Sequence, residues 1–420
     1  MMYDTDPAEY SSVAIRLPYS VRGGTELRHF LSYEFTSDFL SPSDSWSFTV
    51  DTDELSDQDR AALVIAARVE VSVGDVVQSI GYIDDLRYHG SRSGGSLLEV
   101  SGRDWLARAV DNQLDPTLVR FTDAQTLDYL LTTVFAPYGV SVLEDNNLAN
   151  RNLVRGRVYG DKRSKKGKPL KRYQLHALKP YDNEGVFAFA SRVSQRFGLW
   201  LWPSVDGSTL IAGKPDYEQD TSYALRHKRD SSDQHNNVLD WDVTLSRKDQ
   251  PAFIVARGFG GGGADAKTST GGLIINPNII ADSTATGRSP IDLYPTLTAV
   301  TNAPDSVQYY GDTKFLPIFD PNAGPCFLRD TESHDKDQLF AFMHRELSLR
   351  QRKVLTARYT IPGHRLNGQP VALDTLIDVD DDFTGIHQPL WVIGRRFHKA
   401  AGSSGTTTQI EAILPGAIVF

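Results

Sequence analysis

Gly258-Phe259-Gly260-Gly261-Gly262-Gly263 has the glycine spacing of a dinucleotide loop and follows a predicted strand. Such a loop holds a pyrophosphate only where a helix opens at the third glycine and offers its free N–H groups. Residues 264–271, ADAKTSTG, carry no apolar stripe, so a flexible loop is expected there. Asp378, Asp380 and Asp382 begin like a calcium loop, with oxygen ligands at alternate positions. The sixth position is Phe383 where the sharp turn needs glycine, and no glutamate stands at the twelfth, so a solvated acidic turn is expected. The ten histidines form no H-E-x-x-H and have no cysteine partners, which argues against zinc. Gly90-Ser91-Arg92-Ser93-Gly94 places arginine where a serine nucleophile would stand. Cys326, in Gly-Pro-Cys-Phe, has no histidine beside it and reads as a free, partly buried thiol. Carboxylates are numerous enough for a facing pair of the glycosidase kind, which sequence does not resolve. The expectation is no catalytic residue, no cofactor, no metal and no enzyme.

One stretch has stronger binding character. Between Arg155 and Arg172 nine Lys or Arg stand against Asp161 alone. This segment carries +8, which leaves −17 for the rest of a chain whose net charge is −9. Lys162, Arg163, Lys165, Lys166, Lys168, Lys171 and Arg172 form the candidate partner-contact loop, suited to an acidic neighbouring subunit. Only Tyr159 and Tyr173 accompany them, which is poor provision for base stacking. The acidic remainder repels nucleic acid at long range, a property that suits a channel DNA slides through. Trp200, Trp202, Trp241 and Trp391 lie in apolar strands and read as core, with sugar-stacking platforms as the alternative.

These groups need a frame. At 420 residues with 40% hydrophobic content, the chain predicts several domains. Its 33 glycines and 21 prolines supply the turns of a β-rich fold. A single cysteine excludes an intrachain disulfide and fits a reducing cytoplasm. MMYDTDPAEY is unlike a signal peptide, and no apolar run reaches the length of a membrane span. Residues 1–112 read as short strands (13–17, 27–35, 45–50, 68–73, 78–84, 97–101) ending in Ser101-Gly102-Arg103-Asp104 and a short helix over 104–112. A helix follows with Leu127, Leu130, Leu131, Val134 and Phe135 on one face, capped by Thr122 with Gln125 reciprocating. Val186, Phe189, Ala190, Val193 and Phe197 make a second stripe, ended by Gly198 in the left-handed conformation. Strands at 199–202 and 210–211, joined by the Asp206-Gly207 turn, complete this unit. Strands at 238–245 and 253–257 precede a loop-rich stretch and a helix over 335–353, bearing Leu339, Phe342, Met343 and Leu347. Strands at 355–361, 376–380, 390–396 and 407–414 close the chain.

The helix–Gly–aromatic strand–DG–strand unit of 184–213, with a strand running into Gly102-Arg103-Asp104, resembles contractile-phage baseplate hub proteins of the Mu type. That family is related to the core of VgrG-type spikes. The resemblance implies an α+β, mainly β fold in which two small antiparallel β-barrels flank an α/β domain. Its parts would be a first barrel at 1–112, the α/β domain at 113–235, and a second barrel at 236–259 and 350–420. The second barrel would be interrupted by a loop-rich insertion with its helix at 260–349. It further implies a homotrimeric ring around the DNA channel, adapting a sixfold tail tube above to a threefold central spike below, with wedge proteins around. Such a protein is a virion component of the tail baseplate, assembled in the host cytoplasm and not stably inserted in a membrane. Because no periodic tail follows the last strands, the spike is expected to be a separate polypeptide. The rival expectations are a tail-associated cell-wall hydrolase and a carbohydrate-binding tail protein.

Overall fold

The computed structural model describes residues 13–17, 25–74, 76–91, 95–117, 119–122, 125–144, 175, 178–204, 209–215, 217, 219–230, 235–251, 253–258, 271–275, 279–280, 307–309, 318–319, 324–330, 336–402 and 405–418. Among them no helix is long and apolar enough to cross a bilayer. The Asp206-Gly207 turn lies outside these residues.

Strict alternation builds the main sheet. In Ser32–Asp38 the residues Tyr33, Phe35 and Ser37 are buried, and in Ser45–Asp51 Trp46, Phe48 and Val50. Leu355, Ala357, Tyr359 and Ile361 do the same in Leu355–Pro362. A period of two puts every such side chain on one face, which must be covered. The expected strand across 27–35 is two, Thr25–Leu27 and Ser32–Asp38, because Phe30 turns into the core between them.

Thirteen strands join in one sheet. Its order runs Asp240–Leu245, Leu355–Pro362, Thr407–Ile413, Ile386–Lys399, Ser32–Asp38, Ser45–Asp51, Gly95–Asp104, Val76–Ser91, Arg68–Val73, Val13–Leu17, Thr25–Leu27. Thr375–Asp381 also pairs with Ile386–Lys399 and carries Thr221–His227 on its other side, in parallel. No ladder among the described residues closes either half into a barrel. The second half nevertheless curls until its ends approach. Asn237 N–H donates to the carbonyl of Arg226 at 3.1 Å, and the Asn237 side chain accepts from Arg226 N–H at 2.9 Å.

The halves meet edge to edge, from Gly394 opposite Asp38 to Lys399 opposite Tyr33. Phe35 stacks on Phe397 with centroids 5.9 Å apart. The guanidinium of the buried Arg395 lies 4.9 Å from the Phe397 ring and donates to the Val371 carbonyl. Arg396 pairs with Glu34 on the outer face. Fully buried His364 is held between Tyr33 Oη at 2.7 Å and Thr408 Oγ1 at 3.0 Å. Thr408 donates to the Gly363 carbonyl at 2.7 Å, so His364 Nδ1–H donates to Thr408 and Nε2 accepts from Tyr33. Phe39 closes the junction with Trp391 at 5.1 Å and Trp202 at 5.2 Å, and so ties in the α/β unit.

In that unit the helices Leu127–Phe135 and Val186–Arg196 bury the stripes read from the sequence, except that Phe197 caps the second helix and is only partly buried. Gly198 has φ +70° and Gly139 φ +68°, each just past a helical segment. The first helix begins at Thr126, not Thr122: Thr126 Oγ1 accepts from Tyr129 N–H, while Thr122 and Gln125 brace the preceding turn. Trp200–Pro203 pairs antiparallel with Thr209–Gly213, which takes Ser141–Glu144 in parallel. Phe253–Gly258, grouped by pattern with the second barrel, pairs instead with Gly271–Ile275 and Pro325–Asp330. The helix Lys336–Gln351 buries Leu339, Met343 and Leu347 against Ile254 and Ala256 of that smaller sheet.

Gly102-Arg103-Asp104 is a clasp between the first half and the α/β unit. Arg103 grips Asp111 with two bonds of 2.9 and 2.7 Å and Asp84 with a third of 2.7 Å. Buried Asp104 accepts from Ser43 Oγ, Asp44 N–H and Leu106 N–H. A lone arginine between two carboxylates is a fork-shaped tie, which lysine does not reproduce.

Candidate assembly surface

Among the described residues Asp240–Leu245 is the end strand of the large sheet, laddered only to Leu355–Pro362. Its alternation gives one apolar face, Trp241, Val243 and Leu245, yet Trp241 is 41% and Leu245 58% exposed. Leu239, just before the strand, is 58% exposed. Phe383 adds a further exposed ring, 5.2 Å from Trp241. Two leucines and Trp241 at an edge with no second ladder among the described residues, with Phe383 beside them, form the kind of apolar centre that protein interfaces use.

The patch is held from beneath. The His227 ring stacks on Phe383 at 4.4 Å and meets Trp241 at 4.0 Å. Its Nδ1–H donates to Asp381 Oδ1 at 2.9 Å. Asp381, fully buried, also accepts from Tyr359 Oη at 2.9 Å, Thr384 Oγ1 at 2.6 Å and Phe383 N–H at 2.9 Å. Burial alone would raise this carboxyl; the donors, Thr384 foremost, outweigh it and hold it below the usual carboxylate range. Burial, with the Asp381 charge second, raises Tyr359. A carboxylate this well supplied with donors fixes the 381–385 turn and hence the angle of Phe383.

The neighbouring acids are answered by cations. Lys228 Nζ stands 2.6 Å from Asp380 and 3.2 Å from Asp382, His387 2.7 Å from Asp380, and Arg226 2.7 Å from Asp378. Asp380, Asp382 and His387 present potential metal-ligand atoms within 4.8 Å of one another, and the Lys228 ammonium already engages Asp380 and Asp382. The hydrogen bond to Lys228, followed by that from His387, lowers Asp380. The acidic stretch read from sequence is therefore a charge-paired strand and turn beside the aromatic patch.

The remaining sequence candidates fall elsewhere. Lys162, Arg163, Lys165, Lys166, Lys168, Lys171 and Arg172 lie outside the described residues, as do 259–270 and Arg92. Cys326 is half-buried with Arg350 Nη2 3.6 Å from its sulfur. Trp202 and Trp391 are wholly buried and Trp200 half-buried, its Nε1–H donating to the Phe39 carbonyl at 3.2 Å. Trp241, expected in the core, is the exception. Leu239 and Leu245 are not singled out by sequence, and Phe383 stood out only as the residue that breaks the calcium-loop pattern.

Comparison with known proteins agrees with the resemblance read from the sequence. Residues 20–104 match the family described as Mu phage baseplate assembly protein GpP-like, N-terminal. No curated protein matches the chain. Among solved structures, the tail protein from Neisseria meningitidis MC58 superposes with a TM-score of 0.68 at 18% identity, covering 97% of both chains. The 43 kDa tail protein of prophage MuSo2 from Shewanella oneidensis gives 0.66 at 14% identity, over 97% of this chain and 99% of that one. A chain of the Francisella PdpA–VgrG complex gives 0.53 at 9% identity, with 97% of this chain aligned to 58% of that one. Residues 20–104 thus resemble a phage baseplate domain, and over nearly its whole length the chain shares the fold of these two tail proteins.

Proposed function

We propose that three copies of this chain form a baseplate hub ring of a contractile tail, in which the two halves of the large sheet act as look-alike barrel units. Six such units around an axis would meet a sixfold tube above, while the threefold chain symmetry meets a central spike below. The domain scheme of 1–112, 113–235, 236–259 with 350–420, and the 260–349 insertion belongs to this reading, with Phe253–Gly258 moved to the insertion and Thr221–His227 to the second half. The supporting observation is the rigid aromatic edge at Asp240–Leu245, suited to burial against the next subunit. The charge balance outside 155–172 fits a lumen that passes DNA without holding it.

Sedimentation of the full chain is expected to give three times the monomer mass. Trp241→Glu with Leu245→Glu should shift it to monomer, weakening association at least about 100-fold, as loss of a central aromatic anchor does. A chain that remains monomeric both alone and on isolated tail tubes removes the ring. Purified protein releasing soluble fragments from peptidoglycan would make it a hydrolase instead.

The basic segment extends the same reading: Lys162, Arg163, Lys165, Lys166, Lys168, Lys171 and Arg172 dock on an acidic face of a neighbouring tail protein. Reversing Lys162, Lys165, Lys166 and Lys168 to Glu should reduce particle yield at least about tenfold, with the loss growing as salt falls. Normal particles from that variant exclude the contact.

A further inference from the structure

Among the described residues the large sheet ends in two different surfaces, with Asp240–Leu245 first in its order and Thr25–Leu27 last. Beside the last strand sits the short helix Asp57–Ala62, tied to it by a hydrogen bond from Thr25 Oγ1 to the Asp59 carboxylate. The turn after that helix presents Val64 and Ile65, 52% and 56% exposed. Backbone bonds fix the turn. Val64 N–H donates to the Ala62 carbonyl and Ala67 N–H to that of Val64, each at 3.0 Å, and Ala66 N–H reaches the Ile83 carbonyl at 2.9 Å. Ala66 has φ +63°, a left-handed conformation that alanine adopts only where its surroundings impose it. Both exposed side chains are β-branched and stiff, so the turn is a rigid apolar knob.

The two surfaces carry opposite charge. Residues 51–60 hold five carboxylates, Asp51, Asp53, Glu54, Asp57 and Asp59, against Arg60, a net −4. Asp53, Glu54 and Asp57 are exposed, and among the described residues no ion pair engages them. At the other end of the sheet, Leu245 runs on into Arg247 and Lys248, and its ladder partner Leu355 follows Arg352 and Lys353; with Asp249 these make +3. Asp240 and Asp242 stand toward the Trp241 end of the strand. Beside Leu245 opens a cleft of about 1040 Å³ whose walls include Lys248 and Lys353. Lys248 is exposed without an ion pair among the described residues, and Lys353 meets Asp249 at 4.0 Å. Like ends repel, so attraction favours pairing head to tail. Pairing of unlike surfaces is the kind of contact that closes a ring.

We propose that Val64 and Ile65 of one copy seat on Leu245 of the next, with the acidic turn 51–57 entering the cleft beside Lys248 and Lys353. This contact rests on the ring reading above and names the surface that meets the Asp240–Leu245 edge.

The test reverses charge at each end of the full chain and follows its association by sedimentation equilibrium. Asp53→Lys with Glu54→Lys and Asp57→Lys makes the acidic end basic; Lys248→Glu with Lys353→Glu makes the basic end acidic. Each set alone should weaken association at least about tenfold. The chain carrying both sets should recover to near the parent, because unlike ends face each other again, and that recovery separates a lost contact from a damaged fold. Ile65→Asp should weaken association about tenfold by placing a charge in the apolar centre. A parent that forms trimers which neither charge set disturbs overturns this contact and leaves the ring standing. So does a chain with both sets that associates as weakly as either alone. A parent that stays monomeric both alone and on isolated tail tubes overturns the ring and this contact together.

Discussion

Gly102→Ala is expected to destabilise the first sheet half by about 4 kcal/mol, enough to deplete folded protein at 37 °C. A Cβ at this position would stand 2.1 Å from the Tyr82 carbonyl oxygen and 2.3 Å from Cζ2 of Trp46. The first obstacle is backbone in a ten-pair ladder, and the second is a ring stacked on Phe48 in the core, so neither can yield cheaply. Displacing that strand would also move Arg103 off Asp84 and Asp111 and Asp104 off its three donors. Gly405→Ala is the control, since a Cβ there meets nothing within 4 Å. Differential scanning calorimetry should show the first variant's earliest transition well below that of the parent, and the second's unchanged. Equal transitions for all three chains refute the clasp.

Local order was legible where the determinants are local. The helix Val186–Arg196 could be read because its apolar residues recur at helical spacing and a glycine follows. The hairpin partners at 200–203 and 209–213 lie close enough in sequence to pair by default. What could not be read are pairings fixed by the core as a whole. Nothing in Ser32–Asp38 announces a partner some 360 residues away at Gly394–Lys399, and alternation says only that one face is buried. The strand Thr221–His227 finds a parallel partner at Thr375–Asp381 for the same reason, because Arg226 and Asp378 declare themselves only once opposed. Thr122 with Gln125 satisfies the capping-box pattern, yet the helix starts at Thr126, where the apolar stripe does.

The candidate surface shows the same division. The strand bearing Trp241 was legible, but an apolar pattern does not tell a covered face from an uncovered one. Coverage depends on sheet order, and Asp240–Leu245 happens to be last. The acidic run departs from a calcium loop at Phe383, which stands where the turn needs glycine. Nothing in the sequence shows that Lys228 lies between Asp380 and Asp382.

The seam between the sheet halves should loosen in mild acid through His364. Burial, with a lesser push from His398, lowers this imidazole to about 3, whereas an unfolded histidine titrates near 6.5. The folded pKa is depressed, so between those values the unfolded state binds the extra proton. The stability from the neutral ring is complete above pH 6.5 and shrinks as pH falls toward 3. Each pH unit in that window removes about 1.4 kcal/mol, so the loss by pH 4 is about 3 kcal/mol. Protonation would also set a second N–H against the Tyr33 hydroxyl, which now donates to Nε2. His364→Gln keeps an acceptor for Tyr33 and a donor for Thr408 but carries no proton-binding site in this range. A chain of several units does not unfold in one step, so the readout is hydrogen exchange at the amides of Ser32–Asp38 and Gly394–Lys399. The parent should open more readily by about two powers of ten between pH 6.5 and 4, after correction for intrinsic exchange, and the Gln variant should stay nearly flat. Parallel pH profiles for the two proteins would place the acid-sensitive group elsewhere and leave the seam to Phe35, Phe397 and Phe39 alone.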